Sequence, residues 1–315
     1  MMPNIVVVGS LNMDLVASAP RIPVIGETII GNRYFAQPGG KGANQAYAVA
    51  RLGGRVAMIG CVGDDEFGKQ MRGNLAAVGC DIAEVRVEAG SSGVAVICVS
   101  ATGENSIIVV SGANAKLTPQ HVLQSRASFL NAKVVLLQLE SPLETVIAAA
   151  KTARECGATV ILDPAPVPVG KLPSELLCNV DILTPNEIEA ANLVDRAPNR
   201  LTPDQAIELG SELRRRGAPT VIIKLGDQGC AIVSADRPIL LPASRVKAVD
   251  TTAAGDVFNG GLAVGLSEGR NLQLACEFAN RAAALSVTRV GAQGAVPFRA
   301  EVDEAATNTA LAVTS

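Results

Sequence analysis

The sequence predicts an α/β fold in which a mostly parallel sheet carries helices on both faces, with a small second sheet beside it. Three observations predict this. Short β-branched runs alternate with helical stretches, the arrangement that parallel strands joined by helical crossovers require. The apolar residues are aliphatic, at 48% hydrophobic and 3% aromatic with no Trp, which suits close helix-on-sheet packing. Two stretches, residues 11–37 and 93–111, hold extended segments with no helix between them.

Strands are expected at Ile5–Val8, Arg55–Ile59, Val134–Leu139, Thr159–Leu162, Asp181–Thr184 and Thr220–Lys224. The helix after Gly39-Gly40 turns Ala46, Val49, Ala50 and Leu52 inward. Ser141-Pro142-Leu143-Glu144 reads as a capping box ahead of a helix, and Thr202-Pro203-Asp204-Gln205 repeats it. Leu15–Ala19 and Glu27–Gln37 surround Pro20, Pro23 and Gly26, and Val94–Val99 and Ile107–Val110 form a hairpin. Together these four segments predict one small antiparallel sheet, needing a partner for its apolar face. The whole chain, 1–315, reads as a single domain with that sheet inserted in it.

Charge excludes several partners. Lys+Arg is 27 against Asp+Glu 30, a net charge of −3. The only cationic run, Arg214–Arg216, falls at an expected helix end, where cations suit the dipole. Neither nucleic acid nor a membrane surface is expected as a partner. The start of the chain lacks the pattern of a signal peptide, and no apolar run reaches the ~18 residues of a membrane span. Seven scattered Cys without a CxxC read as reduced thiols of a cytoplasmic protein. The one His, His121, sits at an expected helix start after Thr118-Pro119 and reads as a surface or cap residue. Any chemistry must manage without histidine.

No GxGxxG, GxxxxGK[ST], HRD or DFG occurs. The most informative segment is Val249–Gly261, VDTTAAGDVFNGG. Ala253, Ala254 and Gly255 permit a tight bend into a helix whose free amides form an anion site. Asp256 in the first turn lies beside that anion, where a base can deprotonate an alcohol during in-line phosphoryl transfer. An ordinary helix-start Asp is the plainer reading. Gly39-Gly40-Lys41-Gly42-Ala43-Asn44 permits close backbone approach, with Lys41 and Asn44 suited to a polyol; a plain Gly-rich turn is the alternative. Asn12 and Asp14 share one face of an extended chain and can hold vicinal hydroxyls, or serve a turn. Glu140 follows an expected strand end, the usual ligand position in an open α/β sheet, or is a simple helix-start carboxylate. Asn186 and Glu189 offer an amide and a carboxylate to Mg²⁺ waters or phosphate; capping by Asn186 is the alternative. Lys224–Gly229 is a strand end with a Gly turn, a weak nucleotide signal.

Seven segments together resemble the PfkB-type carbohydrate kinase family: Gly9–Asp14, Gly39–Ala46, Gly60–Gly68, Gly112–Asn114, Gln138–Pro142, Thr184–Glu189 and Asp250–Asp256. They span nearly the whole chain in the family's order. The resemblance implies a Rossmann-like domain with a β-sheet lid, here residues 11–37 and 93–111, often paired in a homodimer. It makes Asp256 the catalytic base, with Ala253, Ala254 and Gly255 as the anion hole. It gives Asn12, Asp14, Gly40, Lys41, Asn44 and Glu140 to a sugar, and Asn186, Lys224, Gly226, Gly229, Gly255 and Asn280 to ATP. Glu189 is Mg²⁺-related, while Asp250, Thr252, Ser286, Arg289, Gly291 and Ala295 match a monovalent-cation site for K⁺. Lys224 departs from a commoner Thr, and Gly294-Ala295 from a usual Pro-Ser.

The expected activity is transfer of the ATP γ-phosphoryl group to the 5-hydroxyl of D-ribose. Alternatives are a sibling kinase for deoxyribose, fructose or a nucleoside, and a non-catalytic sugar-binding regulator. A nucleoside kinase calls for apolar residues around the base, and the lid offers little beyond Tyr34 and Phe35. A regulator needs neither Asp256 nor an anion hole.

Overall fold

A computed structural model describes residues 2–168 and 170–313, with side chains through residue 307. Its strands are β1 (Ile5–Val8), β2 (Asn12–Ser18), β3 (Arg33–Gly39), β4 (Val56–Gly63), β5 (Val85–Glu88), β6 (Gly93–Val99), β7 (Asn105–Val110), β8 (Val134–Leu137), β9 (Thr159–Leu162), β10 (Ile182–Leu183), β11 (Thr220–Lys224), β12 (Cys230–Val233) and β13 (Ile239–Leu241). Nine form one sheet in the order β13-β12-β11-β10-β9-β8-β1-β4-β5. It is parallel except where β12 and β13 turn back at one edge.

Alternation along the strands sorts the core into two layers. Ile5, Val7, Val56, Met58, Val134 and Leu136 face the helices Lys41–Arg51, Ala254–Ser267 and Leu272–Ser286. Val6, Val8, Val135 and Leu137 face Leu143–Glu155 on the other side. Helices on both faces are what buried parallel strands demand.

The small sheet has the order β3-β2-β6-β7. It is mixed, not antiparallel: β2 pairs with β3 antiparallel but with β6 in parallel. The cause lies in the main sheet. β2 leaves the end of β1, and β6 follows the end of β5; β1 and β5 run the same way, so the two departing strands do as well.

A second expectation fails locally. Ser141 does not cap the next helix. Pro142 is the cap residue, with its carbonyl accepting from the amides of Thr145 and Val146 at 2.9 and 3.1 Å. Ser141 is therefore one residue too early, and its hydroxyl is buried without a hydrogen-bond partner among the described residues. The Thr202 box forms as expected, with Gln205 as its reciprocal partner. β8 also ends at Leu137, which frees Gln138–Glu140 to line the crevice. His121 serves in a capping box with Thr118.

Candidate active site

Strand order reverses at β1, between β8 leading one way and β4 the other. Ligands of open α/β sheets bind outside the carboxyl ends of strands at such a switch. Here β1 delivers Ser10 and Asn12, β8 delivers Glu140, β9 delivers Asp163, and β11 delivers Lys224.

In the half of the crevice beside β2, close backbone contact sets the side chains in place. Gly40 has φ +86°, and a Cβ there would lie 2.6 Å from the Asn12 amide nitrogen; one on Gly42 would lie 2.6 Å from that of Ser10. Only glycine lets the loop dock on the β1–β2 connection. Glu140 then accepts from the Ser10 hydroxyl, from the Asn12 amide at 3.4 Å and from the Lys41 backbone N–H at 3.1 Å. Asn114 donates to Asn12 Oδ1 at 2.8 Å and fixes its rotamer. Asp14 lies on the same face of β2, two residues on, against Gly39. Burial, with Glu140 and Asp256 nearby, pushes its carboxyl up to about 7, and no hydrogen bond among the described residues offsets this.

Asp256 stands where the two halves meet. Ala253 takes the left-handed conformation, φ 58° and ψ 12°, and is the N-cap of Ala254–Ser267 without a side-chain cap. That conformation costs an L-residue about 1–2 kcal/mol. The Ala254 amide donates to Thr251 O at 3.2 Å, so the helix-start donors aimed outward are those of Gly255 and Asp256. The Asp256 carboxylate is buried and accepts from Asn44 and Gln45, each at 3.1 Å. Burial and the Asp163 charge push it up to about 6, although Lys41 and the two amides pull the other way. Lys41 is itself opposed by burial, and the carboxylates of Asp256, Asp163, Glu140 and Glu189 outweigh that and hold its pKa above the ordinary value.

Two adjoining cavities of about 400 and 590 Å³ extend from this point. The smaller holds Lys41, Asp163, Glu189 and Asp256 around the helix start. The larger is lined by Gly226, Gly229, Val246, Asn280 and Val287. Lys224 and Gly255 line both. The Lys224 ammonium pairs with Asp163 at 2.9 Å, and both side chains are largely buried. Asn186 and Glu189 form a reciprocal capping box, with both bonds at 2.8 Å. Asn280 reaches Cys230 Sγ at 3.6 Å.

The suspected cation loops do meet. Asp250 Oδ1 accepts from Thr252 N–H and hydroxyl, and Oδ2 from Gly291 N–H at 2.8 Å. Ser286 donates to the Ala283 carbonyl, Arg289 pairs with Glu301, and Ala295 closes a short turn on Ala292. With these side chains engaged, a cation there would find mainly backbone carbonyls.

Sequence reasoning missed three site residues. Asp163 follows β9 as Glu140 follows β8, a signal that was available. Gln45 bridges Asp163 and Asp256, with Gln138 donating to its carbonyl at 2.7 Å. Gln293 donates to Asn44 Oδ1 at 3.0 Å from a distant loop.

A crevice pairing a polyol cradle with an anion-binding helix start and one buried carboxylate is the site of a sugar kinase. Residues 2–299 match the pfkB family carbohydrate kinases, and the chain belongs to that family. It is 43% identical over 307 residues to a ribokinase of Bacillus subtilis, covering 96% of this chain and 99% of the relative. It is 41% identical to a ribokinase of Haemophilus influenzae, covering 96% and 98%. An Arabidopsis thaliana ribokinase complexed with ribose and ATP superposes with a TM-score of 0.89 at 35% identity, covering 96% and 98%.

Proposed function

We propose that this protein transfers the γ-phosphoryl group of ATP to the 5-hydroxyl of D-ribose, giving ribose 5-phosphate and ADP. The observation that carries the reading is Asp256. It is a buried carboxylate at a helix start, held by Asn44 on the cradle side and flanked by unpaired amides on the cavity side.

In this reading Asn12, Asp14, Gly40, Lys41, Asn44 and Glu140 hold the sugar hydroxyls. Asp256 takes the proton from the attacking hydroxyl, whose oxygen forms the new bond to phosphorus as the bond to ADP breaks. Lys41, Lys224 and the Gly255 and Asp256 amides hold the negative charge of the transferring group. Gly226, Gly229, Asn186 and Asn280 shape the nucleotide cavity. Glu189 would hold Mg²⁺, which would supply positive charge against the phosphates. The half-buried Glu189 carboxylate fits it, because only one oxygen is engaged in the capping bond. K⁺ on the carbonyls around Asp250, Thr252, Ser286, Arg289, Gly291 and Ala295 would order the anion hole; replacing K⁺ by tetramethylammonium at fixed Mg²⁺ should lower turnover.

The small sheet, residues 11–37 and 93–111 of the one domain 1–315, acts as the lid. Its exposed Tyr34, Val96, Ile107, Ile108, Val109 and Val110 suit pairing with a second copy. Seven free cysteines suit the reducing cytoplasm. No helix among the described residues is long and apolar enough to cross a membrane.

The deciding measurement is ADP release over a panel of ribose, deoxyribose, fructose and nucleosides. The highest kcat/KM should fall on ribose. Preference for another sugar overturns the substrate, and no turnover with any of them overturns the kinase reading.

A further inference from the structure

Away from the crevice, three side chains of three metal-binding types converge. Cys61 lies on β4, Glu88 ends β5, and His121 sits in the first turn of Pro119–Gln124. Their ligand atoms all lie within 4.8 Å of one another. The convergence is built by the fold. β4 and β5 pair in parallel with Cys61 opposite Arg86 and Gly63 opposite Glu88, so Cys61 and Glu88 project from the same face. The helix Pro119–Gln124 covers that face, with Val122 in the same apolar layer as Cys61. Cys61 is buried, while Glu88 and His121 are half-buried. That gives an open side through which an ion and a water can enter.

We propose that Cys61, Glu88 and His121 form a binding site for a borderline-soft divalent cation of the Zn²⁺ class. One thiolate, one imidazole and one carboxylate, with a fourth position left to water, is a donor set that zinc accepts. Thiolate and imidazole are poor ligands for Mg²⁺, so this site is distinct in chemistry from the phosphate-linked one.

The neighbouring cations are engaged elsewhere. Arg86 donates to Gln124 Oε1 at 2.6 Å, and Lys116 to the Ala89 carbonyl. Burial pushes the Cys61 thiol up to about 11, so the ion would displace a proton on binding. His121 Nδ1 now accepts the Thr118 amide at a long 3.4 Å. Ligation would forfeit that weak bond at an exposed helix start, where water can replace it. A bound ion would tie together β4, β5 and the helix that follows the lid hairpin. Asp64 and Asp65, just beyond β4, accept from the Gly90 and Ser92 amides and so anchor the root of that hairpin. The site therefore stands behind the lid's attachment and outside its substrate face.

The test titrates reduced, metal-free full-length protein with Co²⁺, a spectroscopic substitute for Zn²⁺. One equivalent should bind with a thiolate-to-cobalt charge-transfer band, displaced by Zn²⁺ and unmoved by excess Mg²⁺. The band should vanish in Cys61→Ser. It should also be lost or markedly weakened in His121→Gln, which retains a capping-box residue and so guards against a folding artefact. The metal-free variants should release ADP as the wild type does. No band in the wild type overturns the proposal. So does a band that survives Cys61→Ser, since another cysteine would then be the ligand, or one that Mg²⁺ abolishes.

Discussion

The two halves of the crevice are made differently. The cradle half is side-chain chemistry: Asp14, Asn12 and Asn44 are buried and Glu140 is half-buried, with Gly39 too close to Asp14, and Gly93 too close to Asn12, for any Cβ. The nucleotide half is shape and backbone. Its polar side chains already serve the protein, Asn186 and Glu189 in a capping box, Asn280 against Cys230 and Lys224 with Asp163. The contrast teaches where discrimination resides. A buried polar group left unpaired costs far more than a lost surface contact, so under the proposed function the cradle should select its ligand, while the cavity should accept a nucleotide by fit.

The largest effect is expected at the joint. Asp256→Asn should lower kcat by roughly 10²–10⁴, the range for loss of a general base, with sugar and an ATP analogue still binding by calorimetry. Asn is nearly isosteric and leaves the Gly255 and Asp256 amides in place, so some activity should remain. A near-normal kcat would remove Asp256 as the base, and loss of both ligands would reveal a structural role. Since burial pushes the wild-type carboxyl up to about 6, kcat/KM should fall as pH drops through that value, and this limb should disappear in the variant.

The second test breaks the contrast directly. Asp14→Ala and Asn44→Ala should each weaken sugar binding by ~1–3 kcal/mol and leave ATP affinity nearly unchanged. Equal losses for both ligands would mean the halves are not separable.

A third prediction concerns the strain of holding the cradle ready. In the folded chain the Asp14 carboxyl is raised to about 7 by burial. A raised acid stabilises the fold most below its unfolded pKa, and that stability is lost as pH rises through the folded value. Ligand-free Asp14→Asn, uncharged throughout, should therefore melt a few degrees above wild type near pH ~8 and no higher near pH ~4. An unchanged difference across that range would show that Asp14 is not desolvated. The smallest effect is expected at Asn280→Ala, which should change ATP affinity less than either cradle variant changes sugar affinity. A larger loss would make the nucleotide half a side-chain site after all.

Local signals served the sequence reading well wherever the chain itself supplies the geometry. Ile5–Val8, Thr159–Leu162 and Thr220–Lys224 are strands to the residue, because buried parallel strands are continuous apolar runs with clear turns. Asn12, Asp14, Gly40, Lys41, Asn44, Glu140 and Asp256 do converge, since each sits at a strand end or helix start whose direction the fold class dictates. What stayed illegible was reciprocal contact between distant segments. Gln293 reaching Asn44, or Gln45 bridging Asp163 and Asp256, depends on three-dimensional placement that no spacing records. The parallel pairing of β2 with β6 was hidden for the same reason. The expected Ser141 box is displaced by a single residue: Pro142 takes the N-cap position and Leu143 opens the helix.

β2 begins at Asn12 and runs without a break to Ser18, with Asn12 opposite both Gly39 and Gly93. The strand that presents Asn12 and Asp14 to the crevice is thus an inner strand of the small sheet, the lid of the proposed function. Under the proposed function, sugar affinity and the placement of the small sheet would then be coupled through this one strand. On that reading, a ligand bound in the cradle bears on the same strand that carries the cover.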